Sequence, residues 1–213
     1  MIASFTFNRQ PLPQHAYQHF TPSTYLLETE EVLPGGFMPV FIEEEGRVRV
    51  QYARWGMPAQ EVFAGSDRLV APAQNIFQRP AFGESIRTRR CLIPVDGVQL
   101  RELITVNSPE YEMHHQHGEL FCLAGIYAWR SGSWGEEALG IALVTTNSPL
   151  NLRGYSHAMP LILAPKAAQQ WISEETSLNA IGELLHPAPL NNIRVRSIAT
   201  AESAPSLVRE QAA

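Results

Sequence analysis

Residues 89–97 read "RRCLIPVDG". Two arginines lead into Cys91-Leu92-Ile93, a proline interrupts the run at Pro94, and Asp96-Gly97 closes it. A short apolar run bounded by turn residues is the pattern of a strand buried on both faces. Carried on to Leu100, "CLIPVDGVQL" (91–100) reads as a buried strand broken at Pro94 and turning near Asp96-Gly97. Such a strand needs neighbours on both sides, and the flanking sequence supplies them.

"GFMPVFIEE" (36–44) and "RVRVQYARW" (47–55) flank a short Glu-Gly turn, a hairpin signal. In the second, Val48, Val50 and Tyr52 alternate with Arg47, Arg49 and Gln51, which predicts one buried and one wet face. "ELFCLAGIYAW" (119–129), "ALGIALVTT" (138–146), "MPLIL" (159–163) and "NIRVRSI" (192–198) bring the strands to at least seven. Helices are fewer. "PKAAQQWI" (165–172) has Pro165 at a first helical position, and "TSLNAIGELL" (176–185) and "PAFGESIRTRR" (80–90) also read as helical. Regular crossovers for a doubly wound sheet are missing. The expected fold is α+β: a β-rich single domain over residues 1–213, mainly antiparallel sheets in a barrel-like core, and a few peripheral helices. A C-terminal tail from about residue 200 is expected to be flexible.

The chain has 213 residues, 45% of them apolar, enough for one packed core. No apolar run approaches the ~20 residues that span a bilayer, and the N-terminus has no signal-peptide pattern. Cys91 and Cys122 each sit in an apolar stretch and read as buried thiols of a reducing cytoplasm. The formal net charge of −5 gives no global attraction to nucleic acid, although a local basic patch can suffice. Of the 16 basic residues only Lys166 is a lysine, a bias that a GC-rich bacterial genome explains as well as a preference for phosphate forks does.

"MHHQHG" (113–118) has the residues of a zinc site. Yet His114 and His115 are adjacent and point to opposite faces of a strand, and His117-Gly118 reads as a turn. No matching Cys, Asp or Glu spacing recurs, so no metal and no cofactor is expected. The "RTRR" cluster (87–90) suits phosphate oxygens and equally suits the C-terminal dipole of a helix. Composition and spacing alone stop at a soluble, β-rich, cytoplasmic domain.

Several segments, in order, resemble one family, the SRAP proteins: SOS-response-associated peptidases, also described as abasic-site-processing proteins. The chain begins "MIASF" where the family has Met-Cys-Gly-Arg-Phe, matching at Met1 and Phe5. "RWGMP" (54–58) resembles the family's W-G motif, and "RRCLIPVDG" (89–97) its R-R-C-L-V-P-A-D-G. "HGELFCLAGIY" (117–127) and "TTNSPLNLRGYSHAMPLIL" (145–163) resemble the D-G-E-P-L-A-F-A-G-L-W hairpin and the run from T-T-E-A-N to H-D-R-M-P-V-I-L. The similarity covers residues 1 to about 200. It implies a β-rich α+β fold around a groove for single-stranded DNA. It also implies chemistry: methionine removal frees a cysteine whose thiol and α-amine trap the aldehyde of an abasic site as a DNA–protein crosslink. An Asn, a Glu and a His assist, and arginines hold phosphates.

Carried over position by position, that machinery is replaced here. The cysteine falls on Ile2, which lacks a nucleophile and is too bulky for ready removal of Met1. The opening arginine falls on Ser4, the Asn on Val70, its neighbouring Arg on Pro72 and the Glu on Leu100, with Glu102 two residues on as a substitute. The family His falls on Ser156 and its Asp on His157, so His157 is expected to face away from the groove unless a bulge turns it back. Thr145 is the polar groove position retained. The resemblance therefore implies a degenerate site at Ile2, Val70, Leu100 and Ser156, with His157 the candidate remaining for catalysis. Weak contact with single-stranded or abasic DNA would run through Arg87, Arg89, Arg90, Thr145 and Arg153. The alternatives are a hydrolase using Ser156 with His157, or Ser4, and a protein-interaction module that keeps the scaffold alone.

Overall fold

A two-residue turn, Glu45-Gly46, with both residues at positive φ, joins β3 (Phe37–Glu44) to β4 (Arg47–Trp55). That is the geometry a tight hairpin of right-twisted strands demands, and Gly46 takes it without strain. The structure, a computed structural model, describes residues 2–7, 29–58, 67–101, 110–131, 137–149, 152–153, 155–186 and 191–198. The tail from about 200, Met1 and Glu102 lie outside these.

The opening stretch becomes β6 (Arg90–Val95), buried throughout, then Asp96, then β7 (Gly97–Arg101). The break at Asp96-Gly97 sends the two strands into different sheets. β6 lies between β3 and β9 (Phe121–Ser131). β9 pairs along all of β6, whereas β3 pairs at Phe41↔Leu92, ahead of Pro94. β10 (Glu137–Asn147) pairs antiparallel with β9 and parallel with β4, so β10, β4, β3, β6 and β9 form a ring close to a barrel. β5 (Val70–Pro72), β11 (Ala158–Pro160) and β12 (Ile162–Leu163) extend this second sheet. The first sheet has the order β13-β8-β7-β1-β2, from β1 (Ile2–Phe7), β2 (Thr29–Val32), β7, β8 (Glu110–His115) and β13 (Ile193–Ile198). The helices are α1 (Gly83–Thr88), α2 (Pro165–Ile172) and α3 (Leu178–Leu184), with a 3-10 turn at Ile76–Gln78. This is the expected β-rich α+β fold. No helix among the described residues is long and apolar enough to cross a membrane.

The period of two along the ring strands builds two cores. Val40, Ile42, Trp55, Ile93, Leu123 and Ile141 face the first sheet and meet its Ile2, Phe5, Val98, Leu100 and Met113. Phe41, Leu92, Ala124, Ile126 and Val144 face the other way, against Ile86 of α1, Trp171 of α2 and Ile181 of α3. The β4 reading needs a correction. Val48 and Val50 do pack against the helix-side core, but Tyr52 on the same face is 37% exposed. Ala53 and Trp55, on the opposite face, are fully buried because that face turns to the first sheet. Gly125 is forced by close packing: a Cβ there would lie 2.7 Å from Cys91 Sγ and 2.8 Å from Ile93 Cδ1.

Candidate functional site

β1 lies between β2 and β7, and its register carries an irregularity between Ile2 and Ser4. Phe5 stands opposite Val98 and Ser4 opposite Gln99, so a regular strand would set Ile2 against Arg101 on the outer face. The extra residue, Ala3, sets Ile2 opposite Leu100 instead, on the inner face. The positions that the resemblance gives to the nucleophile and the glutamate are therefore direct cross-strand partners. They are 5% and 1% exposed and belong to one apolar cluster with Leu143, Leu152 and Met159. Across β7 and β8 the row continues from Leu100 to Tyr111, and across β13 to Ser197, passing from core to exposed surface. Ser4 is fully buried on the other face, and its hydroxyl has no hydrogen-bond partner among the described residues.

The second part of the site is the connection from β10 to β11. Thr145 pairs with Pro160 and Asn147 with Ala158, and Ser148 N–H donates to the His157 carbonyl at 3.0 Å. Thr145 is buried, and its carbonyl accepts from Ala73 N–H at 2.7 Å. Ser156 is buried with its Oγ donating to the Ala158 carbonyl at 2.8 Å, while His157 is exposed. Between them the chain carries Leu152 into the core and leaves Arg153 exposed, its Nε donating to the Ser148 carbonyl at 3.4 Å. Tyr155 packs against the same core and meets Tyr111 edge-to-face, ring centroids 4.8 Å apart. Val70 stands opposite Leu143 on this side, and Pro72 opposite Thr145; Val70 is 37% exposed. The first sheet's inner row and the 148–157 connection thus meet through Tyr111 and Tyr155, two residues that the sequence reading did not single out. The signal available in sequence was the aromatic beside Ser156, unreadable without knowing that β8 lies opposite it.

The three arginines of 87–90 do different things. Arg87 is exposed, stacks its guanidinium over Phe77 at 5.5 Å and donates to the Phe77 and Gly83 carbonyls. Arg89 pairs with the exposed Glu84 at 3.0 Å. Arg90 is 5% exposed. Its Nε donates to the Trp171 carbonyl at 2.6 Å and its Nη2 to Ser173 at 2.8 Å, while Nη1 serves Ile86 at 3.1 Å and Arg87. One guanidinium thus closes the C-terminal ends of α1 and α2, where helices leave carbonyls unpaired. Burial lowers its pKa from the ordinary guanidinium value, while Glu43 and Glu174 oppose the shift. The Arg90 fork is committed to carbonyls inside the protein.

Cys91 and Cys122 are buried, and burial pushes the Cys91 thiol far up, so it is un-ionised and a poor nucleophile. His114 and His115 lie on opposite faces of β8, and Gly118, at positive φ, closes the turn after them. Among the described residues no three His, Cys, Asp or Glu side chains come together as a metal ion needs. His115 is buried, its Nδ1 3.8 Å from the Glu119 carboxylate and its ring against His117. Burial lowers its pKa, Glu119 opposes and His117 reinforces. A depressed imidazole contributes stability above the unfolded value of about 6.5 and loses it as pH falls toward the folded value. Acidification through that window is expected to lower the Tm of the wild type more than that of His115→Leu; equal slopes in both would show that His115 stays solvated.

A family profile described as SOS response associated peptidase (SRAP) matches residues 5–203. The abasic site processing protein YoaM of Bacillus subtilis (strain 168) is 23% identical over 199 residues, which cover 91% of this chain and 88% of that protein. The abasic site processing protein YoqW of Bacillus phage SPbeta is 20% identical, over 91% of this chain and 89% of its own length. Among solved structures, a protein of Bacteroides thetaiotaomicron superposes with a TM-score of 0.77 at 22% identity, over 98% of this chain and 99% of that one. A phage-related protein of Bordetella bronchiseptica gives 0.72 at 18% identity, over 93% and 94%. With a profile match across nearly the whole chain and the same fold in solved relatives, this chain belongs to the SRAP family.

Proposed function

We propose that the protein serves a DNA-damage role related to abasic-site processing, through non-covalent contact with single-stranded DNA and without cysteine-dependent crosslinking. One observation carries the reading: Ile2 and Leu100 face each other across β1 and β7 inside a packed apolar core. Crosslinking needs a thiolate, an amine and a proton-moving carboxylate around an aldehyde. An isoleucine–leucine pair offers none of these. Of the residues that the resemblance gives to DNA contact, Arg153 and Arg87 are exposed, Arg89 is half-buried and Thr145 is buried. These four remain the proposed DNA contacts; Arg90 is removed from the set by its carbonyl partners. A hydrolase built on Ser156 and His157 has little support, since the Ser156 hydroxyl is donated to the Ala158 carbonyl and His157 is exposed.

The test has two arms. Incubation with abasic single-stranded DNA is expected to give no adduct that survives denaturation; a stable adduct would end the non-covalent reading. A gel shift with the same DNA is expected at low salt and to weaken steeply as salt rises, since phosphate contacts release counterions. Absence of binding even at low salt would remove DNA as the partner.

A further inference from the structure

The row that begins with Ile2 and Leu100 passes through Tyr111, whose ring meets Tyr155, and that pair has the features of a ligand surface. Tyr111 is half-buried, between the closed core at Leu100 and the exposed Ser197. Tyr155, also half-buried, reaches it from the 148–157 connection at 4.8 Å with the rings 74° apart. Both rings pack in part against the apolar core and keep part of their surface in solvent, and their edge-to-face arrangement does not stack one ring face on the other. The charges around the pair are sorted by side. Arg153 and His157, two residues before and after Tyr155, are both exposed. The neighbouring acids of β8, Glu110 and Glu112, fall on the opposite face of the strand from Tyr111 and are paired there with Arg101 and Arg196. Aromatic surface flanked by cation, with carboxylates turned away, fits an unstacked base attached to a phosphate.

We infer that Tyr111 and Tyr155 form a stacking step that holds one unpaired base of single-stranded DNA beside the closed site, with Arg153 on the adjoining phosphate. This rests on the DNA-binding part of the reading above and adds the place and chemistry of contact. The surface recognises a π-face, so it tolerates any base and requires single-stranded DNA.

The experiment uses the full chain and an oligothymidylate carrying one 2-aminopurine. Anisotropy of an end label reads binding, and 2-aminopurine fluorescence reads stacking. Wild type is expected to bind and to quench. Tyr155→Leu, which keeps apolar volume at the core contact, is expected to lose the quench and to weaken binding about ten- to hundredfold. Tyr155→Phe is expected to keep both, since it keeps the ring. Arg153→Gln is expected to quench at saturation with weaker binding and a salt slope reduced by about one. A folded Tyr155→Leu, judged by its Tm, that still binds and quenches like wild type would overturn the stacking step while leaving DNA binding standing. Failure of every form to bind at low salt would overturn DNA binding itself, and the stacking step with it.

Discussion

Arg90→Leu is expected to lower the free energy of unfolding by about 3–5 kcal/mol, although leucine suits a buried position. The loss comes from what stays behind. The carbonyls of Ile86, Arg87, Trp171 and Ser173 all accept from the one guanidinium. Each buried acceptor left unpaired costs on the order of 1–3 kcal/mol, and water reaching the helix ends recovers part of the sum. Arg90→Lys is expected to recover a minority, because one ammonium on a flexible stem cannot span carbonyls from two helices as a planar fork does. Arg89→Leu is the control. Its partner Glu84 is exposed, so the change should cost under about 1 kcal/mol. Urea unfolding with unchanged slope measures all three. Equal losses for Arg89→Leu and Arg90→Leu would refute the capping role.

The adjacent arginines show where sequence reading stops. "RTRR" at the end of a short helix is legible as positive charge, and both a phosphate grip and a helix end agree with it. What separates Arg90 from Arg87 is the C-terminal end of α2, whose Trp171 and Ser173 carbonyls come from 81 and 83 residues further along the chain. Hydrophobic periodicity cannot carry that information, because it describes one element at a time.

The same division runs through the fold. β3, β4, β9 and β10 are long, and each has an apolar face set by a period of two, so they can be read directly. β5 has three residues ending in Pro72, and its pairing with Leu143, Val144 and Thr145 of β10 is what makes it a strand. β1 mixes Ala3 and Ser4 with aromatics, and nothing local says that it inserts between β7 and β2. Tyr52 is misread for a related reason: alternation identifies two faces of β4, but both are partly buried, one by the first sheet and one by the helices. Resemblance to SRAP proteins supplied the list of site positions that pattern alone did not. It could not show that two of them, 98 residues apart, touch.

That contact makes Leu100→Glu the most damaging single change expected at the site, costing about 4–6 kcal/mol at neutral pH, of which roughly 3–4 is electrostatic and the rest lost packing. A carboxyl there would face Ile2 inside a cluster of apolar side chains. Burial without a partner raises its pKa by ~3–5 units above the unfolded value of about 4.3. A raised carboxyl is neutral in the fold below that unfolded value, where the electrostatic penalty vanishes and the lost leucine packing remains. As pH climbs from there through the folded pKa the unfolded state ionises first, and stability falls. The variant should therefore be most stable near pH 4 relative to wild type and unfold as the solution is neutralised, a direction opposite to that expected from His115. Ile2→Cys is milder, about 2 kcal/mol for lost packing. Its thiol would still stand in an apolar wall, un-ionised, with Leu100 across from it and a serine at position 156. Intact mass should show no adduct with abasic DNA, and the double variant Ile2→Cys/Leu100→Glu should fare no better at neutral pH because it is less folded. Efficient crosslinking by Ile2→Cys alone would mean that this wall opens to DNA in solution, and the closed site would have to be given up.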